Sequence, residues 1–136
     1  MSLTNARLSE YNRNAILSAT PAQLLTMLYD RLLLDLTRAR VAQEAENWPV
    51  ASEQLVHAQA IIAELQSSLR VDIWDGGEGL FALYTYVNTA LINANVSRNV
   101  SLIVESLTLL EPLRDAWYEA SIEAGSSASS DGWGVA

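Results

Sequence analysis

The side chains best suited to proton transfer or metal binding are few and scattered. The chain has one histidine, His57, and no cysteine, which excludes thiolate sites, cysteine nucleophiles and any site that needs two histidines. Glu53 and His57 are four residues apart, which is not the Glu-x-x-His spacing of di-iron bundles. Asp75 and Glu78 flank two glycines, and two carboxylates are too few for an EF-hand calcium site. We therefore predict no catalytic residue, no metal site and no cofactor.

One chemistry that needs only a single histidine is phosphotransfer, and it remains as an alternative function. His57 flanks an apolar row of its predicted helix rather than belonging to it. Basic side chains usually lie near a phosphorylated residue to neutralise the added charge. The neighbours of His57, from Leu55 to Gln59, supply none, and the chain has no lysine anywhere. A structural role for His57 is the simpler interpretation.

Composition and charge exclude several classes of partner. Eight basic residues stand against sixteen acidic ones, for a formal net charge of −8 over 136 residues. No run of basic residues can displace counterions from a phosphate backbone, so we expect no nucleic-acid partner. Half of the residues are hydrophobic, which allows one domain of this length to bury a core. Residues 1–18 lack the apolar stretch of a signal peptide, and we expect a cytoplasmic protein.

Capping signals divide the chain into four helical segments. Thr20-Pro21-Ala22-Gln23 is a capping box with proline at the first helical position. Asn47 and Asn99 have the side chain for capping two later helices. Glycine is absent before position 76 and then occurs at 76, 77 and 79, which marks the one longer loop. These signals predict helices over 21–46, 48–69, 79–95 and 100–124.

Each predicted helix has a row of mostly apolar residues that repeats in alternating steps of four and three, and we call this row its seam. The seams of the second and third helices are Ala51, Leu55, Ala58, Ile62, Leu65 and Leu69, and Leu80, Tyr84, Val87, Leu91 and Ala94. This spacing is typical of helices packed in bundles, and short connections force neighbours to run antiparallel. We predict an all-α fold, an antiparallel up-down four-helix bundle over 20–124. An N-terminal capping segment (1–19) precedes it, and a flexible, disordered tail (125–136) follows.

Two predicted helices carry apolar residues outside their seams. On the first helix, Met27, Leu34 and Val41 fall within about 40° of one another, nearly opposite the seam. On the third helix, a second row lies about 100° from the seam. We call the two rows the first-helix stripe and the third-helix stripe, the latter consisting of Phe81, Thr85, Asn88 and Ile92.

The third predicted helix is unusual because no charged residue lies between Glu78 and Arg98. Asn88, Asn93 and Asn95 would be costly in hydrocarbon, so we expect no stable membrane insertion. Two interpretations stay open. Either the helix is central and contacts neighbours on several sides, or its outer stripe forms a mixed apolar and amide groove that another polypeptide covers.

Three blocks of sequence, in matching order and spacing, resemble one known family. The blocks are Tyr11 and Ile16 followed by Ala19–Asp30, then Leu83–Tyr86 followed by Leu91–Asn95, and finally Leu109–Trp117. Together they resemble the flagellin-specific export chaperones of the FliS type.

The resemblance implies a cytosolic helical-bundle chaperone without enzymatic activity. Such chaperones bind the C-terminal segment of new flagellin, which wraps around the bundle, and they prevent premature polymerisation. They present the subunit to the flagellar type III export apparatus. In free members of the family the N-terminal segment covers part of the client groove, which would make Tyr11 and Ile16 a displaceable cap. The residues alone also allow these two to pack as a staple at the start of the first helix.

The predicted client-binding residues come from two sources. The stripes contribute Met27, Leu34, Phe81, Asn88 and Ile92, and the family pattern adds Tyr84, Tyr86 and Asn95. A disordered client must bury much apolar area to offset the cost of its ordering, which agrees with surplus stripes on two helices. The alternatives are phosphotransfer at His57 and a self-associating structural bundle, and a homodimer of the free protein stays open.

Overall fold

The fold is described by a computed structural model, and four α-helices make up most of the residues that it describes. They are α1 (Pro21–Glu44), α2 (Trp48–Ser68), α3 (Gly77–Val96) and α4 (Val100–Gly134). The structure describes residues 10, 13–14, 19–70 and 75–134, with side-chain environments as far as 123. No strand occurs among these residues, and the all-α prediction is confirmed.

The helices begin at their predicted caps with one exception. Thr20 Oγ1 accepts a hydrogen bond from the Gln23 N–H at 3.1 Å, and Gln23 Oε1 accepts one from the Thr20 N–H at 2.9 Å. Asn47 caps α2, and Asn99 Oδ1 accepts a hydrogen bond from the second N–H of α4. The exception is α3, which begins at Gly77, earlier than the predicted residue 79, without a side-chain cap. An acidic residue in its first turn favours this earlier start through the helix dipole.

The α1–α2 and α3–α4 turns close in the same way. Glu46 and Arg98 have left-handed backbones, with φ of 58° and 52°. The next residues, Asn47 and Asn99, each donate their N–H to a carbonyl five residues earlier, at 2.8 and 3.0 Å. This is the Schellman arrangement, in which the left-handed residue is usually glycine. A side chain at that position costs about 1 kcal/mol, so neither turn has the sequence signal that glycine provides.

The packing order places α1 and α3 diagonally across the bundle. Each of them packs mainly against α2 and α4. Gln66, near the end of α2, donates to Thr85, near the start of α3, at 2.7 Å. At the other end, Asn95 donates to Ser52 at 3.2 Å. The two hydrogen bonds show that α2 and α3 run in opposite directions, as the bundle prediction requires.

The seams form the core. The predicted α3 seam is buried throughout, and the α2 seam is buried except for Leu69, which is half-buried. The predicted α4 seam consists of Ile103, Ser106, Leu110, Leu113, Trp117 and Ala120. It is buried as far as Leu110 and half-buried at Leu113 and Trp117, but Ala120 is exposed. The prediction for Ala120 was wrong because a repeat of 3.5 residues drifts around a helix that has 3.6 residues per turn.

Two tyrosines meet in the middle of this core. The hydroxyl oxygens of Tyr29 on α1 and Tyr84 on α3 are 2.5 Å apart. Both residues are buried, and Tyr84 is 1% exposed. Burial raises the pKa of both phenols, and the hydrogen bond from Tyr29 adds to the rise in the pKa of Tyr84.

A buried carboxylate joins α1 to α2. Asp35 is fully buried, and its Oδ1 accepts a hydrogen bond from Arg31 Nε at 3.0 Å. Its Oδ2 contacts Nδ1 of His57 on α2. Because a buried polar group is costly unless it is hydrogen-bonded, these two contacts stabilise Asp35 in the core. His57 therefore has a structural contact, although 51% of its side chain is exposed.

At the C-terminal end of the chain the structure differs from the prediction, and at the N-terminal end the predicted cap residues are not described by the structure. α4 continues to Gly134, past the predicted end near 124. The segment after 124 holds no proline, and a glycine there costs only about 1 kcal/mol, so nothing forces the helix to stop. Flexibility of 125–136 stays a prediction. Tyr11 and Ile16 lie outside the described residues.

The tyrosine pair predicts an alkaline loss of stability. Above about pH 10 the tyrosines of the unfolded chain lose protons that the buried ones keep, so the free energy of unfolding falls as pH rises. No lysine or cysteine titrates in this range. Tyr84→Phe should make the fall shallower by up to about 1.4 kcal/mol per pH unit, measured by urea unfolding. The control is the same comparison between pH 7 and 8, where tyrosine keeps its proton in the folded and the unfolded chain and the two slopes should coincide. An unchanged slope above pH 10 in Tyr84→Phe would contradict the prediction.

Candidate functional site

The third-helix stripe lies open beside α2. Phe81 and Ile92 are 44% and 42% exposed, Thr85 is exposed and Asn88 is half-buried. Gln66 of α2 donates to Thr85 Oγ1 and also, at 3.3 Å, to the carbonyl oxygen of Phe81. The stripe therefore borders α2 and forms one side of a surface shared by the two helices.

The α2 half of this surface was not predicted from the sequence. Ser52 and Gln66, whose side chains form hydrogen bonds with α3, belong to one row of α2 with alternating steps of four and three. The row is Ser52, Val56, Gln59, Ala63 and Gln66. Val56 and Ala63 of this row are exposed. We call this row, together with the third-helix stripe and Asn95, the α2–α3 face. The row has a single large apolar residue, so its sequence signal is weak.

The antiparallel register places like side chains side by side across the α2–α3 face. The hydrogen bonds at its two ends fix the register of α2 against α3. In that register Val56 lies level with Ile92, and Gln59 lies level with Asn88. Neither row contains a charged residue. The face is therefore apolar patches alternating with amides, as the groove interpretation predicted.

The first-helix stripe is exposed on the opposite side of the bundle. Met27, Leu34 and Val41 are all exposed. Because α1 and α3 lie diagonally, this stripe and the α2–α3 face do not form one groove. A single ligand that touches both must pass around α2 or α4.

The family pattern placed two tyrosines in the site, and the structure separates them. Tyr84 is buried against Tyr29 and lies in the core, where it also lines the cavity at the end of the bundle; its contact with a client stays a prediction. Tyr86 is exposed, and its hydroxyl donates to Glu105 on α4. It lies on the α3–α4 side and not on the α2–α3 face. Asn95 is half-buried and lies on that face through its hydrogen bond to Ser52.

An apolar cavity of about 650 Å³ opens at the end of the bundle where α1 begins. Pro21, the first residue of α1, lines it together with side chains from all four helices. Its apolar lining consists mainly of Leu24, Leu25, Leu28, Leu65, Leu69, Leu80 and Trp117. The cavity lies where the N-terminal segment joins the bundle.

Among the described residues, no group of three His, Cys, Asp or Glu side chains is placed to hold a metal ion. The search for membrane-spanning segments, over the same residues, finds no helix with the length and apolar character to cross a bilayer.

Comparison with known proteins decides the family. A family model described as flagellar protein FliS matches residues 4–124. The chain belongs to the FliS family. The flagellar secretion chaperone FliS of Bacillus subtilis is 32% identical over 110 residues, which cover 81% of this chain and 82% of that protein. The FliS of Salmonella typhimurium is 35% identical over 115 residues, covering 82% and 84%.

A solved structure of a flagellar chaperone from bacteria shares the fold. It superposes with a TM-score of 0.69 at 21% identity and covers 84% of this chain and 96% of its own. FliS proteins are chaperones and not enzymes, and this member is not an enzyme. The phosphotransfer alternative is therefore dropped, and the contact of His57 with Asp35 gives that histidine its structural role.

Proposed function

We propose that this FliS-family protein is a cytoplasmic chaperone that binds the C-terminal segment of flagellin. It prevents premature polymerisation and delivers the subunit to the flagellar type III export apparatus. Membership of the family and relatives named flagellar secretion chaperones support this function. The structural observation that carries it is the α2–α3 face, an uncharged surface with exposed Phe81 and Ile92.

The chemistry of the α2–α3 face suits an extended polypeptide. Val56, Phe81 and Ile92 offer apolar area to alternate side chains of such a segment. Gln59 and Asn88 offer amide groups, which donate and accept hydrogen bonds and so can pair with free backbone groups. Because neither row carries a charge, binding does not require an ion to leave water. These residues and Asn95 form one part of the proposed client site.

The first-helix stripe supplies the second part of the proposed client site. Met27 and Leu34 lie across the bundle from Phe81, so the client must wrap around the chaperone to reach both. An extended chain advances about 3.3 Å per residue, and helix axes in a bundle are about 10 Å apart. A connecting stretch on the order of ten residues is therefore enough. Tyr86 is within reach of a client that passes over α4.

The N-terminal segment, residues 1–19, is proposed to cover apolar surface until the client displaces it. Support comes from the cavity at Pro21, which opens at the point where this segment enters α1. Ile16 precedes Pro21 closely and Tyr11 lies further upstream. The alternative for both residues is a fixed staple at the start of α1.

Self-association is a second candidate, favoured by the exposed first-helix stripe. A homodimer of the free protein through Met27, Leu34 and Val41 would cover apolar area that the bundle leaves in water. Sedimentation velocity of the purified protein tests it. A monomer at micromolar concentration would contradict a stable dimer.

A charge placed on the α2–α3 face should abolish client binding. Phe81→Asp or Ile92→Asp would bury an unpaired carboxylate against the client, which costs a few kcal/mol and weakens binding more than about tenfold. Binding of a labelled flagellin C-terminal peptide measures the effect by anisotropy. Ile122→Asp, at an exposed apolar position near the C-terminal end of α4 and outside both stripes, is the matched control. Loss of helical circular dichroism in Phe81→Asp would show instead that this residue supports the core.

The cap proposal predicts that removing the N-terminal segment does not harm binding. A variant lacking residues 1–17 keeps the whole capping box and should bind the same peptide equally well or more tightly, because no internal segment competes. Tyr11→Ala with Ile16→Ala in the full chain should act in the same direction. A large loss of affinity in either variant would mean that the segment belongs to the binding site itself.

A further inference from the structure

A second cleft, of about 510 Å³, opens at the opposite end of the bundle from the apolar cavity. It lies between the two left-handed turns and is lined by residues from the end of α1, the start of α2, the end of α3 and the turn after α3. Gln43 comes from the end of α1, Trp48 from the start of α2, and Asn95 from the end of α3. Arg98, in the α3–α4 turn, lies at its edge. The cleft is polar and cationic, unlike the α2–α3 face beside it.

Arg98 is placed to bind an anion. Its guanidinium lies over the ring of Trp48, 4.5 Å from the ring centroid. Stacking fixes the plane of the guanidinium and leaves its N–H edge available for a bidentate bond to a carboxylate. Within the part of the chain that the structure describes, Arg98 forms no salt bridge, whereas Arg31, Arg40 and Arg114 each do.

Gln43 presents a buried acceptor that the protein does not satisfy. The residue is 5% exposed, and its Nε2 donates to the carbonyl of Ala94 at 2.9 Å. Its Oε1 has no hydrogen-bond partner among the described residues. A buried acceptor without a donor is costly, so a ligand that brings an N–H gains by satisfying it. Asn95 gives its Nδ2 to Ser52, which leaves its Oδ1 as a second acceptor.

We propose that Arg98 in this cleft binds a carboxylate of the client polypeptide. Backbone N–H groups of the client beside that carboxylate donate to the amide oxygens of Gln43 and Asn95. The inference rests on the proposed function, since Asn95 joins the cleft to the α2–α3 face on which the client lies. That face carries no charge and would accept an apolar segment in several registers. One ion pair at its end fixes a single register, because a shifted segment leaves the carboxylate unpaired.

The test measures peptide binding by fluorescence anisotropy with the full chain and a labelled C-terminal peptide of the cognate flagellin. Arg98→Gln removes the charge and should weaken binding about tenfold or more. Arg98→Lys keeps the charge without the planar fork and should recover part of the loss. Arg40→Gln, which breaks an exposed ion pair on α1, is the matched control and should change affinity less than about twofold.

Peptide variants identify the carboxylate. Each acidic residue is changed to its amide in turn, and one further peptide has an amidated C-terminus. One of these peptides should bind the wild-type protein as weakly as the unchanged peptide binds Arg98→Gln. The same peptide should bind Arg98→Gln no more weakly than that, because the two changes remove one interaction. An effect of the amidated end assigns the terminal carboxylate, and an effect of a side-chain variant assigns that residue.

The possible failures are distinguishable. If Arg98→Gln binds like the wild type while Phe81→Asp does not bind, the cleft proposal is overturned and the proposed function stands. If the wild type does not bind the flagellin peptide at all, both are overturned. The circular dichroism of Arg98→Gln should match the wild type, and urea unfolding should show only the small loss expected from the missing contact with Trp48. Together they exclude unfolding as the cause of lost binding.

Discussion

A helix in a four-helix bundle can bury only the part of its surface that faces its two neighbours and the centre. One seam per helix is enough to fill that space. α1 and α3 carry a second apolar row, and each has only the same two packing partners as any other helix of the bundle. The second rows must therefore lie outside, and they do, at Met27, Leu34, Phe81 and Ile92. Among the described helices α3 packs mainly against α2 and α4, which favours the groove interpretation over that of a central helix with neighbours on several sides.

Several polar contacts hold the exposed surface in place. Asp35 joins α1 to α2 through His57, the tyrosine hydroxyls join α1 to α3, and Gln66 joins α2 to the start of the third-helix stripe. Side chains locked in this way present a surface formed before the client arrives. The ordering cost of binding then falls mainly on the client. The net charge of −8 resides outside the α2–α3 face and serves solubility rather than recognition.

Caps and seams could be predicted from the sequence because they depend on local chemistry. Thr20 and Asn47 carry the side chains that cap helices, and the seam spacing follows from helix geometry alone. The position of a residue relative to a neighbouring helix could not be predicted in the same way. A wheel shows Tyr84 in a seam, but its hydrogen bond to Tyr29 on the diagonal helix appears only in the structure. The α2 half of the face was missed because Val56 is the only large apolar side chain in its row.

The two turns show a different limit of sequence patterns. Glu46 and Arg98 adopt the left-handed backbone for which glycine is the usual signal. Without glycine, the sequence marks these turns only through the asparagines that follow. The cleft at Arg98 depends on this turn, on the end of α1 and on the start of α2 together. No single stretch of sequence contains it.

The central claim is that this chain recognises the C-terminal segment of flagellin. The most direct measurement is binding of the purified protein to its cognate flagellin, monomeric and full-length, beside the same flagellin lacking its C-terminal segment. The chain should bind full-length flagellin and should not bind the truncated form. Equal binding of the two forms, or no binding of either, would contradict the claim.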